Sequence, residues 1–497
     1  MNWIDPTRQK FILLALVAVH ALAFLSFYPE IITVSDEMSY VLQTRLLAEG
    51  TNEEIVFDPF TGKYVHTGRK TLYPLGTALF ALPFFKAGGW QFVFWMPFLA
   101  LLAALWATAN WLKEEGRGPL FAAVLLAYPH TIVYSRLCMS EMPSLLLVSA
   151  GLLCFWRGLD RNRMIYWSAA GFVAGLSILV REGNALLFAP FFLGALLRRD
   201  AKWWILLLSG IAGVGARLVA HALYLDDALY TRSPLAFGLD YIAANIGFYT
   251  VVLTLLVPGG LFLGLLYRGR RRPEIIGAIA TFFVFHLLYS FSGEQSGVLK
   301  SLVIGPRFFI ALLPLLAFAM AESGPRLWAA AKSKWAAGSG RLDSLGRRIL
   351  WAWLGAVTLG VFAVHVGHHS WAAGRVEIRD AIYAHTPDGA IVVNDIRASG
   401  KFFDAIYGNR ISLSRHWIDL KKAATLIRRN GSLFIVQLDR NESPFWQQVT
   451  RENDDYLASY RPPPHLVLDR RFSDTERLRI WEVTHVPSAG GPLRKPH

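Results

Sequence analysis

Apolar runs near the roughly 20 residues that a helix needs to cross a bilayer recur along this chain as far as residue 367. Short polar breaks separate them. The pattern predicts eleven spans, at about 10–28, 90–112, 118–135, 142–158, 164–180, 184–198, 203–224, 248–267, 274–292, 306–322 and 349–367. Residues 371–497 are different: they are rich in charge and hold no spanning run. There Ala390-Ile391-Val392-Val393 reads as a strand after the turn Pro387-Asp388-Gly389. Lys421–Arg429 reads as a helix, and Leu433-Phe434-Ile435-Val436 as a strand after Asn430-Gly431. Strands alternating with a helix predict a small α/β domain. The expected fold class is therefore a polytopic α-helical membrane protein of about eleven transmembrane helices, carrying a small C-terminal α/β domain. The expected domains are a membrane domain over 1–370, with its first outer loop at 29–89, and an outer domain over 371–497.

Composition agrees with the pattern. Hydrophobic residues make up 54% and charged residues 17%, against about 25% in soluble chains. The formal net charge of +14 could point to nucleic acid or to anionic lipid, and its distribution decides. With the N-terminus inside, the loops after the even-numbered spans carry Lys113 and Arg117; Arg157, Arg161 and Arg163; Arg198, Arg199 and Lys202; and Arg268, Arg270, Arg271 and Arg272. The last of them, 323–348, carries Arg326, Lys332, Lys334, Arg341, Arg347 and Arg348. The first outer loop instead carries Glu30, Asp36, Glu37, Glu49, Glu53, Glu54 and Asp58 against Arg45, Lys63, Arg69 and Lys70. This is the positive-inside asymmetry, so the charge orients the chain and requires no nucleic-acid partner. The C-terminus then lies outside. The same parity makes Leu75–Phe85 an interfacial or half-inserted helix rather than a span. It also makes 164–198 a hairpin with Arg181-Glu182-Gly183-Asn184 at its outer turn. The basic, aromatic stretch Trp328–Trp335 reads as a cytoplasmic surface helix on anionic lipid. The N-terminal run Phe11 to Phe27 is long enough to span and lacks a small-x-small cleavage site.

Two adjacent acids, Asp36-Glu37, are placed just past the first span, in what reads as the start of a polar loop. Thr67-Gly68-Arg69-Lys70-Thr71-Leu72-Tyr73-Pro74 closes the same loop. One outer loop thus offers carboxylates at one end and two cations at the other. A carboxylate can take a proton from a hydroxyl nucleophile. Guanidinium and ammonium groups can hold a phosphate as it leaves. Further charged residues sit at the outer ends of other spans: Arg136 and Glu141 between the third and fourth, Arg181 between the fifth and sixth, Glu294 and Arg307 between the ninth and tenth. Taken singly, each reads more readily as an interfacial anchor or a local ion pair than as a site residue. His365, His368 and His369 have helical spacing, but no carboxylate or Cys lies close by, so no metal site is assigned. Cys138 and Cys154 give neither a disulfide framework nor metal-ligand spacing.

In this order the motifs resemble the GT-C integral-membrane glycosyltransferases, especially the branch of protein O-mannosyltransferases and lipid A aminoarabinose transferases. The resemblance covers about residues 10–322. It rests on Asp-Glu-x-x-Tyr (Asp36, Glu37, Tyr40), Lys70…Tyr73-Pro74-Leu75, Ser140-Glu141-Met142-Pro143, Gly175-Leu176-Ser177-Ile178-Leu179-Val180-Arg181 and Pro306-Arg307-Phe308-Phe309…Leu313-Pro314. It implies transfer of a sugar from a polyprenyl-phosphate donor to an acceptor hydroxyl on the outer face, with inversion at the anomeric carbon. It implies Asp36 as base and Glu37 as its support, with Lys70, Arg69 and Arg307 on the donor phosphate and Glu141 as the second acidic residue. Tyr40, Tyr73, Arg136, Arg181 and Glu294 complete the expected substrate-binding set. The partners implied are the lipid-linked donor, a glycan, lipid or protein acceptor, and the bilayer, in a bacterial inner membrane with the C-terminal domain periplasmic. No cofactor is assigned, and a divalent cation is left open. Two positions depart from the aminoarabinose transferases: Ser39 stands where they often carry Arg, and Lys70-Thr71-Leu72-Tyr73-Pro74 replaces their usual Lys-Pro-Pro. The donor sugar is therefore not inferred. The competing readings are a ligase or polymerase of lipid-linked glycans, a lipid or sugar transporter or flippase, and a non-enzymatic scaffold. Transporters usually place polar residues at broken helices near the midplane, whereas the ionisable residues here cluster at span ends.

Overall fold

The structure, a computed structural model, describes residues 5–53, 55–66, 73–225, 237–257, 259–289, 305–334, 339–394, 410–415, 418–440 and 444–485. The helices run α1 (Pro6–Ser26), α2 (Ser35–Ala48), α3 (Gly76–Phe92), α4 (Trp95–Glu114), α5 (Val124–Ala127), α6 (Pro129–Tyr134), α7 (Glu141–Arg161), α8 (Met164–Val180) and α9 (Asn184–Leu197). They continue as α10 (Trp203–Leu225), α11 (Ile242–Leu256), α12 (Gly260–Leu265), α13 (Arg272–Leu287), α14 (Leu313–Lys334), α15 (Ser339–His385), α16 (Leu420–Asn430) and α17 (Pro444–Ala458). The strands are β1 (Ile55–Asp58), β2 (Lys63–His66), β3 (Ile391–Asn394), β4 (Ile411–Ser414), β5 (Leu433–Arg440), β6 (His465–Arg471) and β7 (Glu476–Val483). The chain divides into two compact bodies. One holds Met1–Pro29, Ser39–Asn52 and Thr71–His369; the other holds Glu30–Met38, Glu53–Lys70 and Ser370–His497.

The first body is helical. Among the described residues, seven helices are long and apolar enough to cross a membrane: Thr7–Ser26, Trp95–Glu114, Glu141–Arg161, Trp203–Leu225, Leu239–Leu256, Gly305–Lys334 and Ser344–His385. Met164–Val180 and Asn184–Leu197 are shorter apolar helices. The run expected as a third span, 118–135, is not one helix. It is a 3-10 turn at Pro119–Ala123 followed by α5 and α6. The break falls at Tyr128, whose backbone is extended (φ −78°, ψ 112°), because the next residue is Pro129 and proline disfavours the helical region for its predecessor. The expected span 248–267 is likewise interrupted: α11 stops at Leu256, and α12 restarts after Gly259, which sits at φ +69° where glycine is cheapest. Asp36 and Glu37, expected in a loop, occupy the first turn of α2.

Without water to drive apolar surfaces together, helices in a bilayer associate through close backbone approach at small residues. The α8–α10 pair does this. A Cβ on Gly175 would lie 2.2 Å from the Gly210 carbonyl oxygen and 3.0 Å from Gly213 Cα, and one on Gly171 would lie 2.2 Å from the Leu206 carbonyl oxygen. At the end of α8, Gly76 of α3 approaches so closely that a Cβ there would stand 2.7 Å from the Leu179 carbonyl oxygen. Both approaches fix the direction in which α8 delivers the residue that follows it, Arg181. Elsewhere the core is aromatic: Trp111 stacks on Phe318 at 4.0 Å between ring centroids and lies 4.8 Å from Trp156.

The second body is built on a five-stranded sheet in the order β4-β3-β5-β7-β6. Strand β3 is parallel to β4 and β5, while β7 is antiparallel to β5 and β6. Successive side chains of a strand point to opposite faces. Ile391, Val393, Leu433 and Ile435 pack with Leu426 and Ile427 of α16 and Leu457 of α17. Val392, Phe434, Val436 and Leu438 pack with Ile378, Ala381 and Ile382 near the end of α15.

Two pieces of the first loop belong to this body. Arg429 donates to the carbonyl oxygens of Phe60 and Thr61 at the tip of the β1–β2 hairpin, the second at 2.8 Å. Arg379 donates to the Glu30 carbonyl oxygen and Arg375 to that of Thr33, both at 2.8 Å.

Gly175→Leu should lower the melting temperature of the detergent-solubilised protein by several degrees, since its side chain must displace α10. Gly215→Leu, at a site with nothing within 4 Å of the added Cβ, is the control and should melt with the wild type.

Candidate functional site

The sequence Leu137-Cys138-Met139-Ser140 breaks the chain between α6 and α7 and places Glu141 in the first turn of α7. An acid is favoured there by the helix dipole. Its side chain is 1% exposed. Two guanidiniums face it: Arg181 Nη2 at 3.6 Å and Arg307 Nε at 3.7 Å, both from Glu141 Oε1. These separations exceed the roughly 2.7–2.9 Å of a docked charge-assisted hydrogen bond. The carboxylate balances the two cations without occupying all their donors. Arg181 Nη1 and Glu141 Oε2 are buried and have no hydrogen-bond partner among the described residues. Three ionised groups of this kind sum to one net positive charge in a site largely shut off from water.

Each guanidinium is held from outside the trio. Both lie over the Phe308 ring, 5.2 Å from its centroid in each case. Arg307 Nη1 donates to the Tyr134 hydroxyl at 3.3 Å. The 3-10 segment Gly305–Leu312 that carries Arg307 is pinned where Tyr128 donates its hydroxyl to the Pro306 carbonyl oxygen at 2.6 Å. Arg181 leaves α8 in extended conformation (φ −155°, ψ 119°). Asn184 stabilises that exit: its Nδ2 donates to the Ser177 carbonyl oxygen at 3.1 Å, and its Oδ1 accepts from Ser144 Oγ at 2.7 Å. One buried amide therefore ties α7, the end of α8 and the start of α9 together. Arg217 of α10 reaches Glu182 at 2.6 Å and steadies the same turn.

The other expected residues fall into separate groups. Tyr40 and Tyr73 pack together, ring centroids 4.8 Å apart, and Gln43 Nε2 donates to the Tyr73 carbonyl oxygen at 3.0 Å. Arg136 is fully buried away from this cluster; it donates to the Phe27 carbonyl oxygen and, through Nε, to His368 Nδ1 at 3.3 Å. In the second body, Glu37 is fully buried, and its Oε2 accepts from the Thr33 backbone N–H at 2.8 Å, closing the entry to α2. Asp36 is half-buried beside it. Arg69, Lys70 and Glu294 lie outside the described residues. Among the described residues no group of three His, Cys, Asp or Glu could hold a metal ion. Sequence reasoning did not single out Phe308, Tyr134, Tyr128 or Asn184 as site residues. Phe308, Tyr134 and Asn184 lie within three positions of a residue that it did single out, and adjacency was the available signal; Tyr128 had none.

Comparison with known proteins shows what the chain is similar to. A model of the family described as dolichyl-phosphate-mannose-protein mannosyltransferase matches residues 74–224. The fold matches ArnT from Cupriavidus metallidurans bound to undecaprenyl phosphate, with a TM-score of 0.62, 14% sequence identity and coverage of 97% of this chain and 99% of that one. The apo state of the same protein matches with a TM-score of 0.60, 15% identity and the same coverage. No curated protein sequence matches the chain. With its helical membrane body and small C-terminal sheet domain, the chain has an ArnT-like fold. Over residues 74–224 the chain is similar in sequence to that mannosyltransferase family.

Removing one partner of a buried ion pair costs about 3–5 kcal/mol, because the remaining charge stays buried. Glu141→Ala should therefore lower stability by an amount of that order, measured by thermal unfolding in detergent. Glu141→Ala combined with Arg307→Ala should recover part of the loss. A double variant no more stable than Glu141→Ala would mean that the two groups are not coupled.

Proposed function

We propose that the chain is a glycosyltransferase that moves a sugar from a polyprenyl-phosphate donor to an acceptor hydroxyl at the outer membrane face, with inversion at the anomeric carbon. In this reading the acceptor oxygen attacks the anomeric carbon from the side opposite the phosphate. The bond from that carbon to the phosphate oxygen breaks, and the phosphate leaves with the electron pair. Asp36 accepts the proton of the acceptor hydroxyl. Glu37, bonded to the Thr33 N–H, holds the turn that presents Asp36. Arg181 and Arg307 bind the phosphate and stabilise the charge that it gains on leaving. Lys70 and Arg69 supply further positive charge.

The observation that carries this reading is the buried Glu141–Arg181–Arg307 trio. It has a net positive charge and a guanidinium nitrogen without a partner among the described residues. Such a group is a receptor for a tetrahedral anion shielded from water. The likeness to ArnT, described as bound to undecaprenyl phosphate, supports a polyprenyl phosphate as the lipid. The proposed arrangement has about eleven crossings, the N-terminus inside and the domain after residue 370 outside, in the inner membrane of a bacterium. The positive-inside charge pattern supports it. The acceptor is a hydroxyl of a glycan, lipid or protein.

Asp36→Asn should reduce transfer from a radiolabelled polyprenyl-phosphate sugar by about 10²–10⁴-fold, the usual contribution of a general base. Its expression and melting temperature should stay near those of the wild type. Wild-type-like turnover by this variant would remove Asp36 from the chemistry. Consumption of no lipid-linked sugar by the wild type would sink the enzymatic reading. Arg307→Lys keeps the charge but loses the planar fork, and is expected to raise KM for the donor more than it lowers kcat.

A further inference from the structure

The gap between Glu141 and Arg181 is wider than attraction alone would leave it. A carboxylate and a guanidinium free to dock close to about 2.7–2.9 Å. Here they stand 3.6 Å apart. The backbone at Arg181 is fixed instead by Asn184, which is fully buried. The Asn184 N–H donates to the Arg181 carbonyl oxygen at 3.1 Å. Asn184 Nδ2 donates, also at 3.1 Å, to the Ser177 carbonyl oxygen, and that oxygen accepts from the Arg181 N–H at 3.0 Å. The peptide groups on both sides of the Arg181 Cα thus belong to a ring of hydrogen bonds that closes on Asn184.

The other polar atom of that amide reaches the helix that carries the acid. Asn184 Oδ1 accepts from Ser144 Oγ at 2.7 Å. Ser144 stands three positions after Glu141 on α7, so the two share a face of that helix. Ser144 is fully buried as well. A buried bond of this kind is expensive to break, because the groups that it strands cannot turn to water. Ser144 and Asn184 therefore form a strut that fixes the start of α7 and the turn at Arg181 at one separation. The Phe308 ring, 5.2 Å from the Arg181 guanidinium, holds the far end of the side chain.

We propose that Asn184 is a positioning residue for the donor phosphate: braced on Ser144, it holds Arg181 off Glu141, so that the guanidinium keeps donors for an incoming anion. Nη1 of Arg181, buried without a partner among the described residues, is a donor that the strut keeps open. Asn184 acts through Arg181 and touches no substrate. The inference rests on the reading of the trio as a phosphate receptor given above.

The test is binding of undecaprenyl phosphate to the full-length protein in detergent, with sugar transfer measured beside it. Asn184→Ala and Ser144→Ala should each weaken binding about tenfold, the scale of one hydrogen bond lost from a charged group. Both should raise KM for the donor while kcat changes little. Ser144→Ala carries the test if Asn184→Ala does not fold. Ser149→Ala is the control: it removes another buried hydroxyl of α7, the acceptor of a 3.2 Å bond from Thr108 Oγ1, and should bind as the wild type does. In an Arg181→Ala background, adding either strut variant should change binding no further. A second tenfold loss there would overturn the proposal, as would wild-type affinity in the two strut variants. A wild type that shows this binding pattern but transfers no sugar would refute the transferase reading and leave the positioning role standing. Absence of binding by the wild type would overturn both.

Discussion

Glu141 is a carboxylate with almost no access to water, and two guanidiniums answer its charge. The helix ends around it follow from that demand. A lone ion in such a place costs several kcal/mol, so the segments carrying Arg181 and Arg307 must arrive within a few ångströms of the start of α7. Neither arrives by regular helix. Arg181 comes off the end of α8 in extended backbone, and Arg307 comes on a 3-10 segment. Irregular backbone at these points is held by buried side chains: Asn184 bonds the Ser177 carbonyl, and Tyr128 bonds the Pro306 carbonyl. The glycine contacts further along α8 belong to the same scheme, because a helix pressed against α10 at Gly171 and Gly175 cannot slide to relieve the charged end.

The two acids of the first loop illustrate a different use of charge. They occupy adjacent positions in one turn, yet their surroundings differ. Glu37 is fully buried and spends one oxygen on the Thr33 N–H, as a residue that closes a helix entry does. Asp36 keeps partial exposure. Under the proposed function this difference suits the two roles: a base that takes a proton from a substrate needs access, and a group that holds a turn needs burial.

Much of this was legible in the chain. The spans near 10–28, 90–112, 142–158 and 203–224 correspond to long apolar helices because uninterrupted apolar length is a strong signal. The helix over 421–429 and the strands at 390–393 and 433–436 were readable from short apolar runs next to the turns Pro387-Asp388-Gly389 and Asn430-Gly431, whereas β4, β6 and β7 were not. The run 118–135 misled because hydropathy averages over Pro119 and Pro129, while backbone geometry does not. The first turn of α2 was read as loop because its residues are polar. Its acids favour a helix N-terminus, and capping is a local signal that hydropathy ignores. Of the site, Glu141, Arg181 and Arg307 could be nominated singly from their places at helix ends. Their meeting around Phe308 is a long-range contact that no local pattern encodes.

The backbone bonds from Arg375, Arg379 and Arg429 to the first loop have a consequence for how this protein can be cut and recombined. These arginines clasp carbonyl oxygens, and every sequence supplies a carbonyl oxygen at every position. The recognition is therefore of chain path rather than of side chains. The hairpin 55–66 can drift in sequence while staying attached, provided that its backbone course is kept, whereas residues 30–38 are also held by the Glu37 side chain. Exchange of the C-terminal domain between relatives is a matter of matching loop geometry. The natural unit of exchange is the sheet domain together with those two distant stretches, although most of the sequence separates them.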